Sequence, residues 1–149
     1  MAKYFGGSES HNTVMLGDND QMLKGGRFIW YYWPINASAS LKEQEKSFVF
    51  DGCVNVFRQL GQQIFHQRRV EKKKGQPCWV ITDVIEGALA DVLKRQLWHT
   101  DSELQIDTDA TITEKEGWVS DYYGVKRSVR QKEVQTLSNK IVTTITVKE

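Results

Sequence analysis

The most regular hydrophobic pattern of the chain lies in its last third, which begins at about Ser102. Residues 140–147 are rich in Ile, Val and Thr, side chains that pack well on a pleated surface and crowd a helix. Alternation along this strand places Ile141 on a face apolar enough for a core and Thr144 on a mildly polar face. The pair Ser138–Asn139 separates it from residues 134–137, so the pattern predicts a C-terminal β-hairpin.

Residues 27–34 form the most aromatic stretch of the chain and are typical of a strand. Strand alternation places Trp30 on one face and Tyr31 and Trp33 on the other, and both faces are apolar. A strand that is apolar on both faces needs cover on both sides. The three residues are therefore predicted to lie in a core or in a subunit interface.

Two later segments show apolar residues at helical spacing. Residues 54–73 follow this period, and a helix is predicted there. In residues 83–98, Asp83 stands at a capping position with Glu86 three residues on, and an apolar stripe follows. The stripe consists of Val84, Ile85, Ala88, Leu89, Val92, Leu93 and Leu97, of which Ile85, Leu89, Val92 and Leu93 are predicted to pack into the core.

Residues 46–53 fit two interpretations that the sequence leaves open. Ser40 and Glu43 have the spacing of a capping box and favour a helix that continues into this segment. Asp51–Gly52 is instead typical of a tight turn between two short strands. The Gly- and Asn-rich arm at residues 1–26 has the composition of loops, and we expect it to be held against its own domain or against a neighbouring subunit.

These elements indicate one α+β domain over residues 1–149, with the arm at its start. The expected architecture is an antiparallel sheet of four to six strands with two helices packed on one face and a C-terminal β-hairpin. Helices that precede a run of strands, without a repeating βαβ pattern, favour this class.

The charge balance argues against a dedicated binder of nucleic acid or anionic membranes. Lys and Arg number 20, Asp and Glu number 19, and the net charge is +1. The start of the sequence shows no apolar signal-peptide region, and no run of 18 apolar residues is present. The two cysteines do not have the spacing of a metal site, and we expect both to be reduced thiols. A cytoplasmic protein, or a virion protein if a virus encodes it, is expected.

A basic cluster lies between residues 68 and 74 and provides candidates for contact with an anionic partner. Its members are Arg68, Arg69, Lys72, Lys73 and Lys74. The simpler interpretation is that these cations lie in the last turn of a helix, where the macrodipole stabilises them. Nucleic acid is therefore a possible partner that the sequence does not favour.

No pattern in the sequence identifies a reaction. The acidic run near Asp107 lacks the Gly and Glu positions of an EF-hand, and the three histidines have no zinc spacing. Nucleophile and phosphate-loop motifs are also missing. We accordingly predict no catalytic residue, no cofactor and no metal.

The resulting hypothesis is a non-catalytic assembly protein rather than an enzyme. It would act as a homo-oligomer or with other protein subunits, for example in a virion or a tail, with no membrane contact. The interface candidates are Trp30, Tyr31, Trp33, Ile141 and Thr144. Two alternatives stay open: a small-molecule pocket domain with a polar group such as Asp121 or His99, and a nucleic-acid module that uses residues 68–74.

Overall fold

The chain folds as a β-sandwich in the computed structural model, which describes residues 2–26, 28–122 and 124–148. Helical structure in these residues is limited to α1 (Ala2–Phe5) and to two 3₁₀ turns. The strands are β1 (Val14–Leu16), β2 (Leu23–Lys24), β3 (Trp30–Tyr31), β4 (Ile35–Glu43), β5 (Ser47–Val56), β6 (Ile64–Lys73), β7 (Cys78–Glu86), β8 (Lys94–Thr100), β9 (Leu104–Asp107), β10 (Thr111–Val119), β11 (Arg127–Thr136) and β12 (Lys140–Val147).

The strands form two large sheets and one small one. The larger sheet has six strands in the order β4-β5-β6-β7-β12-β9, and the sheet facing it has four in the order β1-β8-β11-β10. Strands β2 and β3 form a separate pair. Each strand pairing in the described part of the chain is antiparallel.

Glycines with positive φ lie in the connections that follow the long strands β5, β6 and β7. Gly61, Gly75 and Gly87 have φ values of 72°, 69° and 82°, which glycine adopts without the steric cost that a side chain brings. Gly87 has a second reason to lack a side chain, since a Cβ there would lie 2.2 Å from the carbonyl oxygen of Gln63. These turns let successive strands fold back on one another.

The apolar core fills one end of the space between the sheets, which we call the closed end. Val14 and Leu16 of β1 pack there with residues that leave or enter β5, β6 and β7. The buried partners are Val56, Phe57, Ile64 and Ile85, each at most 1% exposed. Burial of this apolar surface is the main favourable term that holds the two sheets together.

At the other end, which we call the open end, the six-stranded sheet keeps an apolar inner face without comparable cover. Antiparallel neighbours share a face, and the register pairs Leu41 with Phe50 and Phe48 with Lys72. Leu41, Phe48 and Phe50 are 73%, 41% and 38% exposed. Strands β4 and β5 thus present apolar side chains to solvent on the face that is buried elsewhere.

The N-terminal arm contributes strand β1 to the four-stranded sheet, and the residues before β1 lie against the outer face of that sheet. Glu9 pairs with Lys115 at 2.8 Å, and Asp18 pairs with Arg95 at 2.9 Å. Beneath the arm, Leu97 is fully buried. The arm is therefore held against its own domain, which was one of the two possibilities that the sequence left open.

The predicted α+β class is wrong, because both expected helices are strands. Residues 54–73 contain the end of β5, a 3₁₀ turn and β6, and residues 83–98 contain the end of β7, a turn and most of β8. Ile85 is buried as expected, whereas Leu89 is 53% exposed. Ile85 of β7 lies in the core with Ala88 and Val92 of the following turn packed against it, whereas Leu97 of β8 lies under the arm. The spacing of these residues along the chain imitates a helix.

Both interpretations of residues 46–53 are also wrong. The supposed capping box lies within β4, and Asp51–Gly52 lies inside the continuous strand β5. Gly52 leaves room for the ring of Phe50, because a Cβ at Gly52 would lie 2.8 Å from that ring. This close approach accounts for a glycine in mid-strand.

The C-terminal strand is confirmed and the hairpin is wrong. Strand β12 covers residues 140–147 and buries Ile141 and Thr143, while Thr144 on its other face is half-buried. It pairs with β7 and β9, and β11 belongs to the other sheet. The chain therefore crosses between the two sheets at residues 137–139, where a hairpin would have kept it in one.

The sequence predicted an aromatic strand over residues 27–34, but only Trp30–Tyr31 forms a strand. Arg27, the first residue of the predicted strand, lies outside the described residues. Tyr32 interrupts the extended conformation with a φ of 58°.

Across the described ranges, no helix is long and apolar enough to span a membrane.

Candidate functional site

A buried polar network lies between the two sheets, next to the closed end. At its centre, the Asp83 carboxylate on β7 accepts hydrogen bonds from two side chains of β6 and one of β8. His66 Nε2 donates over 2.7 Å, Arg68 donates from Nε and Nη2 over 2.7 and 2.9 Å, and Gln96 Nε2 donates over 2.7 Å. Asp83 is fully buried, so these four donors replace all of its contact with water.

The network continues through Gln96 and joins the sheets. The Oε1 atom of Gln96 accepts hydrogen bonds from Trp98 Nε1 at 2.9 Å and from Thr143 Oγ1 at 2.7 Å. Gln96 and Trp98 lie on β8 of the four-stranded sheet, whereas Thr143 and Asp83 lie on the six-stranded sheet. A network whose buried members are satisfied fixes the position of each side chain.

The electrostatics keep Asp83 ionised. Burial alone raises the pKa of its carboxyl, but the hydrogen bonds and positive charge from His66 and Arg68 outweigh burial and hold that pKa well below its usual range. The ionised carboxylate accepts from His66, so the proton of that contact lies on Nε2.

The network has no spare acceptor for another ligand at Asp83. Both carboxylate oxygens already accept two hydrogen bonds each. In the part of the chain that the structure describes, no three His, Cys, Asp or Glu side chains group in a way that could hold a metal ion. The network is thus suited to positioning Arg68 and leaves Asp83 unable to serve as a base or a metal ligand.

Beginning at Arg68, three cations on the inner face of the larger sheet each lie over an aromatic ring. The Arg68 guanidinium lies 5.4 Å from the centre of the Trp98 ring, Lys72 Nζ 4.7 Å from Trp79, and Lys74 Nζ 4.8 Å from Phe48. Cations at such distances are attracted to the face of the ring. We call these three pairs the cation–ring row; it runs from the buried network to the open end.

The three cations differ in how fully they are neutralised. Arg68 is paired with the buried Asp83, and Lys74 Nζ lies 2.5 Å from Glu43, which is 66% exposed. Lys72 Nζ donates to the carbonyl oxygens of Lys73 and Gln76, and it shows no carboxylate partner among the described residues. Lys72 is therefore the cation of the row most available to an anionic ligand.

A different surface on the four-stranded sheet has the opposite charge character. A cavity of about 600 Å³ there is lined by three carboxylates and two cations: Asp101, Glu114, Glu116, Lys115 and Arg130. Such a lining repels a polyanion more than it attracts one. The cation–ring row is the better candidate for an anionic ligand.

Strand alternation divides the basic cluster that the sequence singled out. Arg68 and Lys72 belong to the row, as does Lys74 just beyond the strand end. Arg69 lies on the outer face, where its Nη1 atom is 3.0 Å from Asp51. Lys73 is exposed and follows Lys72 on the strand, so its side chain projects from the opposite face.

The five interface candidates do not form one surface. Trp30 is half-buried, whereas Tyr31 and Trp33 are 51% and 62% exposed in the loop around β3. Ile141 is 2% exposed and belongs to the core. Thr144 lies in β12, which has strand neighbours on both sides.

Of the buried network, the sequence singled out only Arg68, as a candidate for contact with an anionic partner. Asp83 was interpreted as a helix cap, and His66 and Gln96 lie within the two predicted helices. A usable signal was present, because Ile81, Asp83 and Ile85 alternate on one face of a strand. An Asp between two apolar residues on a buried face requires partners.

Comparisons with known proteins identify relatives of this fold. The family model described as Heparinase II/III-like, C-terminal matches residues 1–149. A solved structure of heparinase III with methylated lysines superposes with a TM-score of 0.72 and 12% identity over 98% of this chain. Another heparinase III structure gives a TM-score of 0.69 and 13% identity over 95% of it. No curated protein sequence matches.

The chain spans about a quarter of the length of each heparinase III chain, 25% and 24% respectively. The family match contradicts the predicted non-catalytic assembly protein with a virion or tail role, and it supports neither the small-molecule pocket domain nor the nucleic-acid module. The family is one of polysaccharide lyases, and the chain corresponds to a C-terminal domain of it.

Proposed function

Because the chain belongs to the heparinase II/III-like C-terminal family, we propose that it is the β-sandwich domain of a polysaccharide lyase and binds an acidic polysaccharide. The observation that carries this proposal is the cation–ring row on the inner face of the six-stranded sheet. The polysaccharide would lie on the open end of that face, where Phe48 and Phe50 are also accessible.

The chemistry of the row matches both parts of an acidic sugar. Sulfate and carboxylate groups form charge-assisted hydrogen bonds with Lys and Arg, and Arg also offers a planar fork of donors. The flat, less polar face of a sugar ring packs on an aromatic side chain such as Trp79, which is half-buried. The cations of β6 and its end, together with the rings that neighbouring strands place beside them, provide both contacts.

The buried network prepares this surface for binding. Asp83 fixes the guanidinium of Arg68 through two hydrogen bonds, and Arg68 Nη1 also donates to the carbonyl oxygen of Asn12 over 2.6 Å. A side chain that is already ordered loses little entropy when a ligand binds. In this proposal the domain contributes substrate binding, because its central carboxylate is saturated and does not transfer protons.

The test compares two adjacent lysines on opposite faces of β6. Lys72→Gln and Lys73→Gln remove the same charge from the same strand, and both should fold as the unmodified chain does. Binding of heparin and of a neutral glucan of similar length is measured by calorimetry at several salt concentrations. We expect heparin binding that weakens with salt, little binding of the neutral glucan, and a loss of several-fold in heparin affinity for Lys72→Gln alone.

Equal losses for the two variants would show that the polysaccharide recognises net charge rather than the inner face. Absence of heparin binding by the unmodified chain at low salt would contradict the proposed function itself.

A further inference from the structure

An exposed aromatic loop lies at the other end of β5 from the cation–ring row. Tyr31, Tyr32 and Trp33 are 51%, 49% and 62% exposed, and we call these three residues the aromatic platform. The loop is next to the start of β4, where Ile35 pairs with Asn55 of β5. Asn55 follows Phe48 by seven positions along the strand, a distance of about 23 Å.

The platform is held in place although it is exposed. Trp33 Nε1 donates to the carbonyl oxygen of Trp30 over 2.9 Å, and the Trp33 carbonyl oxygen accepts from Arg58 Nη1 over 3.1 Å. The bond from Nε1 uses the edge of the indole ring. A ring anchored by its edge keeps a fixed orientation while the side chain remains largely accessible to a ligand.

The backbone around the platform is adapted to carry these rings. The Tyr31 ring lies against Gly25, where a Cβ would be 2.0 Å from Tyr31 Cε2. Tyr32 adopts a φ of 58°, a left-handed conformation that residues with a side chain rarely adopt. Strained residues of this kind concentrate at functional sites, where the surrounding structure maintains them.

Two cations accompany the rings. Arg58 contacts the backbone of Trp33, and Lys24 Nζ lies 5.4 Å from the centre of the Trp30 ring. Aromatic surface next to positive charge fits an anionic sugar better than it fits a purely apolar partner. The same combination of groups occurs in the cation–ring row.

We propose that the aromatic platform is a second polysaccharide-binding subsite, in which Trp33 stacks on a sugar ring of an acidic polysaccharide. This inference rests on the proposed function, since it takes the same ligand class. Two subsites on one domain raise the affinity for a chain long enough to reach both.

The experiment measures heparin binding to the full chain by calorimetry and by tryptophan fluorescence, at low and at moderate salt. The variants are Trp33→Ala, Trp33→Phe, and Leu89→Ala as a control that removes another apolar side chain, 53% exposed, in a different loop. Light scattering of each variant without heparin reports self-association.

Trp33→Ala should weaken heparin binding several-fold while the salt dependence stays as in the unmodified chain, because stacking does not involve charge. Trp33→Phe should retain most of the affinity, and Leu89→Ala all of it. Lys72→Gln should instead reduce the salt dependence, which separates the two subsites.

Heparin binding that Trp33→Ala leaves unchanged would overturn the second subsite and leave the proposed function intact. An unmodified chain that self-associates through Trp33, with no effect of the substitution on heparin affinity, would identify the platform as a protein interface. If the unmodified chain binds no heparin, the proposed function fails together with this inference.

Discussion

The closed and open ends of the sandwich are made by the same strands and have opposite characters. At the closed end, inward side chains such as Val56 and Ile85 meet β1 and are fully buried. At the open end, inward side chains such as Phe48 and Leu41 stay accessible, although they continue the same alternation. The alternation of apolar and polar residues thus specifies which face of a strand is apolar, and the partner sheet determines how much of that face is buried.

The largest expected effect is on the network that separates the two ends. Asp83→Ala should lower the free energy of unfolding by about 3–5 kcal/mol, because it leaves the charge of Arg68 unpaired and the donors of His66 and Gln96 without an acceptor. Denaturant unfolding followed by circular dichroism measures the loss.

Asp51→Ala is the matched control, since it breaks a surface pair with Arg69 whose side chains are 44% and 46% exposed. That change should cost less than about 1 kcal/mol. Similar losses for the two substitutions would mean that the buried network does not contribute more than a solvated ion pair.

The next effect compares the two ends directly. Ile85→Ala at the closed end should lower the free energy of unfolding by about 2–5 kcal/mol, because the side chain is fully buried and its removal leaves a cavity. Leu41→Ala at the open end should change stability by no more than about 0.5 kcal/mol, since Leu41 is 73% exposed. A large cost at Leu41 would show that something covers the open end in solution.

A smaller effect is the pH dependence of stability. The pKa of Asp83 is lower in the folded than in the unfolded chain, so its contribution is fully present above the unfolded value of about 3.9 and is lost as the pH falls toward the folded value. The free energy of unfolding should therefore fall below about pH 4, by at most about 1.4 kcal/mol per pH unit from this group.

Unfolding of Asp83→Ala over the same pH range isolates this group, because other lowered carboxyls such as Glu133 remain in the variant. The free energy of unfolding should change less steeply with pH in the variant than in the unmodified chain. Identical slopes would contradict the lowered pKa of Asp83.

The smallest effect concerns Leu89, for which the sequence and the structure lead to different expectations. A helix over residues 83–98 would bury Leu89, and Leu89→Ala would then cost about 2–5 kcal/mol. In the sandwich the side chain is 53% exposed, so the cost should stay within about 0.5 kcal/mol. Denaturant unfolding distinguishes the two, and a cost above 2 kcal/mol would argue against the turn between β7 and β8.

The sequence predicted those strands whose local pattern agrees with their tertiary environment. Strand β12 was identified over residues 140–147, because β-branched residues and alternation both indicated a strand. The helices were wrong because Asp83 and Glu86 imitate a cap, and strands joined by a turn imitate a helical stripe. Gly61 and Gly87, which lie inside the two predicted helices, were the signal of turns that the helical period did not take into account.

The candidate site was only partly predictable for a related reason. The basic residues at 68–74 were visible as a cluster, but only the register of β6 shows that Arg68 and Lys72 share the inner face and Arg69 does not. The aromatic partners Trp98 and Trp79 come from other strands, and a single sequence does not show which strands pair. Prediction of the buried network would also have required knowing which strands pair.

The most direct test of the central claim is a map of backbone amide chemical shifts during titration with heparin oligosaccharides. We expect changes at the open end, at Phe48, Lys72 and Trp79, and none around the acidic cavity at Asp101, Glu114 and Glu116. Shifts at the acidic cavity with an unchanged open end would contradict the assignment of the uncovered inner face as the polysaccharide-binding surface.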